Sequence, residues 1–224
     1  MKHTNAIFLF AVATATVIAS GLASGATLRT VRDPKNRFTI AIPSTWSVQT
    51  STASRAPAVA AKAPAPAGHL PDSLDVITQD LSAPITPAAC LSEATTVMRF
   101  SIHNWTTLHE GATTLAGMKG YSRSYVWRSG NGAQRRSVQT CVTLGRRAFV
   151  LVGTSENTPA AASHDLVQIE QIMQTFRPVT STLPPASPPP RGKLRETGEI
   201  ETWGLASPVR RSDALNARVR STHP

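Results

Sequence analysis

The sequence predicts an α+β domain in which amphipathic helices pack on an antiparallel sheet, and three observations carry that prediction. Two segments repeat apolar residues at helical spacing, at Leu91, Ala94 and Met98 and at Leu166, Ile169, Ile172, Met173 and Phe176. Between them, runs rich in Val, Thr, Tyr, Phe and Trp are separated by short Gly-containing turns, as in a meander. The prolines gather elsewhere: of the 17 in the chain, four lie in 50–71 and eight in 177–224, leaving a proline-poor stretch of ordinary domain size. Length excludes a multidomain machine.

The chain opens with Lys2 and then runs without charge from Ala6 to Ala23, ending in the small residues Ser24, Gly25 and Ala26. This is the pattern of a cleaved secretory signal over 1–26. The competing reading is an uncleaved anchor, since the uncharged stretch is long enough to cross a bilayer, but its Ala, Thr, Ser and Gly content is only weakly apolar. After cleavage no transmembrane helix is expected. The mature chain keeps 22 basic against 13 acidic groups, net +9, of which the segment from Arg177 onward supplies eight basic and four acidic. Such a balance suits anionic partners, or it merely solubilises an Ala-rich and Pro-rich tail.

Within 27–178, Asp33, Pro34, Lys35 and Asn36 form a turn, and Phe38, Ile40 and Ile42 alternate as a half-buried strand that Pro43 ends. Residues 50–71 hold eight Ala, four Pro and no acid, and read as a flexible or polyproline-like insertion. A second strand is expected from Leu74 to Asp80. Thr86 before Pro87 is a helix start, and the apolar stripe continues through Ile102, Trp105 and Leu108, so the helix is expected to run until Gly111. Three strands follow, Thr114 to Arg128, Gln134 to Leu144 and Ala148 to Ser155. Gly130, Asn131 and Gly132 make one turn and Gly145-Arg146 the other, which sets Val142 opposite Phe149 and Thr140 opposite Leu151. Ser163 caps the last helix, with Asp165 in its first turn. Residues 179–224 are expected to be a disordered, basic, Pro-rich tail.

Two cysteines, Cys90 and Cys141, would form a disulfide in an oxidising compartment, closing a loop of 52 residues worth roughly 4 kcal/mol; the alternative is two small buried hydrophobes. They are too few for a zinc site without neighbouring histidines.

This element order resembles the PsbP-like domain superfamily, on Arg37 to Trp46 near the start, Leu115 to Tyr121 before the meander and Gln174 to Pro178 at the end. The resemblance covers 31–178. It implies a PsbP-like α/β/α sandwich and a role in binding or assembly without catalysis. It also singles out Phe38, Pro43, Trp46, Gly117, Gly120 and Phe176 as motif positions, all with packing reasons of their own. Pro43 fixes φ, Trp46 anchors apolar surface, Gly117 and Gly120 permit a close approach or a bulge, and Phe176 closes the core. The 50–71 insertion and the tail depart from the family pattern.

No catalytic set is legible. His103 and His109, expected on one helix six residues apart, do not aim at a common metal, and neither a Gly-x-Ser-x-Gly elbow nor a His-Glu-x-x-His pair occurs. The most suggestive cluster is Arg123, Tyr125 and Trp127, alternating on one strand, with Arg135 and Arg136 across the hairpin. It could bind an anion or an aromatic ring, or it could be ordinary cross-strand packing. The expectation is therefore an exported, non-catalytic binding or accessory protein of the cell envelope. Its partner is an unknown protein or an anionic envelope component, with neither a cofactor nor specific nucleic-acid recognition. The alternatives are a tether acting through the basic tail (Arg191, Lys193, Arg195, Arg210, Arg211, Arg218 and Arg220) and an envelope enzyme with an unrecognised site.

Overall fold

The computed structural model describes residues 27–180 apart from 55, 103, 131, 159 and 160. The leader and the tail cations lie outside the described residues. In chain order come β1 (Leu28–Arg32), β2 (Phe38–Pro43), β3 (Ser47–Thr50), β4 (Val59–Lys62), β5 (Ser73–Asp80), α1 (Pro87–Ser101), β6 (Thr106–Leu115), β7 (Met118–Arg128), β8 (Gln134–Leu144), β9 (Arg147–Glu156), α2 (Ala161–Gln174) and β10 (Arg177–Pro178). A seven-stranded antiparallel sheet runs β3-β4-β5-β9-β8-β7-β6, and a small sheet β1-β2-β10 lies apart from it.

Strand alternation gives the large sheet two apolar faces. On one, Val138 and Val142 of β8 and Phe149 and Leu151 of β9 meet Leu166, Ile169, Ile172 and Met173 of α2 and Phe38, Ile40 and Ile42 of β2. Phe38, Phe149 and Phe176 form the centre, with ring centroids 5.2–6.2 Å apart. Trp46 and Pro43 are buried at its margin. Gly153 lets α2 approach: a Cβ built there would lie 2.2 Å from Ile169 Cγ2. On the other face α1 packs through Cys90, Leu91 and Ala94 onto Ile77, Cys141, Ala148 and Val150. Cys90 and Cys141 are joined in a disulfide with Cα atoms 6.3 Å apart.

Beneath these agreements lie four corrections. The 50–71 stretch is not one flexible insertion, because Val59–Lys62 is a strand between β3 and β5, pairing Val59 with Val76 and Ala61 with Leu74. Ala58, Val59 and Ala61 are core residues; alanine is small enough to leave little pattern, yet its methyl fills the place beneath a crossing layer. The long helix stops at Ser101, where Ile102 is extended and Asn104 takes φ 56°, and the chain returns as β6. Leu108 and His109 are therefore strand residues, Leu108 half exposed, and not part of a helical stripe. Further, Ala116 and Gly117, at φ 51° and 80°, make a two-residue turn that divides the expected Thr114 to Arg128 strand, so the meander has four strands. The second helix begins at Ala161, ahead of Ser163. Val142 does face Phe149, and Thr140 faces Leu151.

Candidate functional site

On β7 and β8 the residues facing α1 are Tyr121, Arg123, Tyr125 and Trp127, opposite Cys141, Gln139, Ser137 and Arg135. The cluster legible in the sequence is thus assembled, but much of it turns inward. Tyr125 is 1% exposed, its hydroxyl 3.7 Å from Met98 Sδ and its ring edge-on to Trp105 at 5.1 Å. Burial pushes its phenol far above the ordinary value. The Arg123 guanidinium bonds Glu110 at 2.6 Å, donates to Thr95 Oγ1 on α1 and lies 5.4 Å from the Trp105 ring centroid. The hydrogen bond from Arg123, with its charge behind it, outweighs desolvation and holds the Glu110 carboxyl below its usual range. Arg123 and Tyr125 therefore fasten α1 and the start of β6 to the sheet.

Arg136 is on the opposite side of β8, as strand alternation requires of the residue next to Arg135. There it counteracts the burial that raises Glu170 of α2. An open face made of all five residues is corrected accordingly: Arg136 cannot join it, and Arg123 and Tyr125 are covered.

What the sequence did not display is the surface beside α1. The helix covers only one end of this sheet face. On β9, an inner strand, Val152, Thr154 and Glu156 are only partly buried, as are Ser73 and Asp75 on β5. Val152 lies between Asp75 and Gln139, Thr154 between Ser73 and Ser137, and Glu156 next to Arg135. Thr154 Oγ1 and Ser137 Oγ are 2.9 Å apart, and the Trp127 indole donates to Ser137 Oγ at 2.9 Å. Arg135 donates to the Pro71 carbonyl at 2.9 Å, and the His69 ring donates to Glu156 at 2.9 Å, so the 63–72 loop forms the far wall. Burial lowers the Arg135 pKa, while the charges of Asp72 and Glu156 act in the other direction. Desolvation raises Asp75 to about 6, against the pull of Lys62 on the neighbouring strand.

At the border of this polar strip, Gln139 is 1% exposed and neither atom of its carboxamide has a hydrogen-bond partner; Arg135 Nε is also buried and unpartnered. Such groups cost free energy when dry. The partly buried Ser73, Asp75, Trp127, Thr154 and Glu156 thus form a polar strip able to exchange hydrogen bonds with a polar partner, and the buried Ser137, Gln139 and Arg135 border it. Among the described residues no three His, Cys, Asp or Glu gather as metal ligands, and no helix is long and apolar enough to cross a membrane.

No protein-family model matches the chain, nor does any curated protein. Solved structures do. The cyanobacterial PsbP (CyanoP) of Synechocystis sp. PCC 6803 superposes with a TM-score of 0.52 at 14% identity, covering 72% of this chain and 99% of that one. LpqN of Mycobacterium tuberculosis, described as involved in cell envelope biogenesis, gives 0.49 at 17% identity over 68% of this chain and 90% of its own. The Ran-binding protein Mog1p of Saccharomyces cerevisiae gives 0.47 at 11% identity over 68% and 96%. The strands that bear the polar strip, with α1 on one side and α2 and the small sheet on the other, thus make up a PsbP-like fold.

Proposed function

We propose that this chain is an exported accessory protein of the cell envelope which acts by binding, and that its partner docks on the polar strip beside α1. The observation that carries the docking reading is the alternation on β9. One face of an antiparallel sheet can stay open to solvent, and on this face Val152, Thr154 and Glu156 are only partly buried, with the buried, unpartnered Gln139 and Arg135 atoms at the border. Export is supported by the uncharged leader and by the disulfide, which persists in oxidising compartments. A non-catalytic role is supported by charged pairs engaged in structure, Arg37 with Asp33 within the turn between β1 and β2, Arg123 of β7 with Glu110 of β6 and Arg147 of β9 with Asp80 of β5. The partner is a protein or anionic component of the envelope that offers hydrogen-bonding groups to Ser73, Asp75, Thr154 and Trp127.

The test is native electrophoresis of envelope extracts from the source organism expressing the tagged protein. The wild type should migrate in a larger assembly, and Thr154→Arg, which fills the strip without touching the core, should release it. A Thr154→Arg protein that stays folded, is exported and remains fully in the assembly would refute the location. Retention of the full-length protein inside the cell would refute export.

A further inference from the structure

The open edge of the large sheet carries a second, independent reading. Among the described residues β6 ends the seven-stranded sheet and pairs with β7 alone, leaving one side of a ten-residue strand without a described neighbour. The opposite edge strand, β3, has four residues. Exposed edges are usually protected by shortness, proline, charge or a bulge; β6 is long and has neither proline nor lysine, its protection being limited to Glu110 and a bulge between Thr107 and His109 near one end. Beyond the bulge, His109–Leu115 is regular, with Glu110, Ala112 and Thr114 exposed. Threonines at 113 and 114 favour extended backbone.

We infer that β6 pairs antiparallel with β6 of a second copy of this chain about a two-fold axis at Gly111, joining the two sheets into one. A two-fold between antiparallel strands sets one residue opposite itself, and Gly111 suits that place. It has no side chain, and the space around it is open, the nearest atom to an added Cβ being His109 Nε2 at 3.7 Å. In this register Ala112 meets Glu110 of the second copy and Thr113 meets His109, so no like charges stand directly opposite. Glu110, the one acid on the strand, is already matched by Arg123 of its own chain. A copy of the same strand thus brings no like charge opposite and fits in bulk, and it satisfies the free backbone groups of both edges. In this register residues 109–113 of the regular segment pair with one another, five residues spanning about 17 Å, so the interface is small and the dimer is expected only at micromolar concentrations and above.

The register is tested with Gly111→Cys and Thr114→Cys in the full-length oxidised protein. At the axis the two introduced cysteines are within disulfide reach, whereas two copies of residue 114 are six residues apart, about 20 Å. Covalent dimer should form at least tenfold faster with Gly111→Cys, and sedimentation velocity of the wild type should show concentration-dependent dimer. Ala112→Glu, which places a carboxylate opposite Glu110 twice, should weaken the dimer about fivefold, and Ala112→Lys should not. Equal cross-linking rates at 111 and 114 overturn the proposal, whichever surface the wild type uses. So does a dissociation constant indifferent to Ala112→Glu, or a wild type monomeric at every concentration.

Discussion

Removing the disulfide should be among the most costly changes to this fold, because it fastens a helix that the core holds weakly. Below α1 the apolar seam consists of Leu91 and Ala94 against Ile77, Ala148 and Val150, plus the two cysteines themselves, whereas α2 sits on three phenylalanines and a row of Ile and Leu. Past Ala94 the helix rests partly on polar contacts, Thr95 to Arg123 and Met98 to the Tyr125 hydroxyl. The bond closes a loop with a sequence separation of 51, and the chain entropy it removes from the unfolded state amounts to roughly 4 kcal/mol. With about 2–4 °C per kcal/mol for a domain of this size, the double variant Cys90→Ala, Cys141→Ala should lose roughly 8–16 °C in Tm. Urea unfolding followed by Trp fluorescence gives the free energy, and hydrogen exchange should show α1 losing protection before the meander does. Reducing the wild type should reproduce the variant. A loss under about 1 kcal/mol, or two thiols titrating in the unfolded oxidised protein, would refute the reasoning.

Three further outcomes follow from packing and charge. Gly153→Ala drives a methyl into Ile169 Cγ2 and should cost about 1–3 kcal/mol in urea unfolding, with part regained in the double variant Gly153→Ala, Ile169→Leu, whose side chain lacks that β-branch. Burial alone would raise Asp33, but two hydrogen bonds from the Arg37 side chain, one from its backbone and its charge together hold the carboxyl below its usual value. Its stabilising contribution is therefore present at neutral pH and lost as the solution is acidified through the folded pKa; Arg37→Met should destabilise by roughly 3 kcal/mol at pH 7 and by less near pH 3. Asp75 has the opposite sign. Its folded pKa of about 6 lies above the unfolded value of 3.8, so its contribution is full in acid below that value and lost as pH rises through 6; the stability of Asp75→Asn relative to wild type should climb over that window and level off above it.

The parts of the fold legible in the sequence are those whose pattern is large in side-chain volume. Phe38, Ile40 and Ile42 announce a strand, the Gly145-Arg146 turn fixes the register of β8 on β9, and Leu166 to Phe176 mark a helix. β4 stayed hidden because its inward positions are Val59 and Ala61, flanked by prolines and alanines that read equally as a linker. The helical period overran its true end since Ile102, Trp105 and Leu108 continue the spacing by chance, while Asn104 in the left-handed region and the β-branched pair Thr106-Thr107 decide for a strand. At the site, the residue types were right and their direction was not. Period-two alternation alone separates Arg136 from Arg135, but nothing local tells whether a face is roofed, and the roof over Arg123 and Tyr125 comes from α1, 22–38 residues earlier in the chain. Gln139 carried no signal at all, since an unpartnered amide is a property of its surroundings.

Site-specific photo-cross-linking in living cells addresses the polar strip most directly. A photoreactive amino acid is placed singly at Thr154 and Ser73 on the strip, and at Arg29 and Lys35 on the far small-sheet side. The account predicts one discrete adduct shared by Thr154 and Ser73 and none at Arg29 or Lys35. Adducts confined to Arg29 and Lys35, with Thr154 and Ser73 silent in a folded and exported protein, would contradict it.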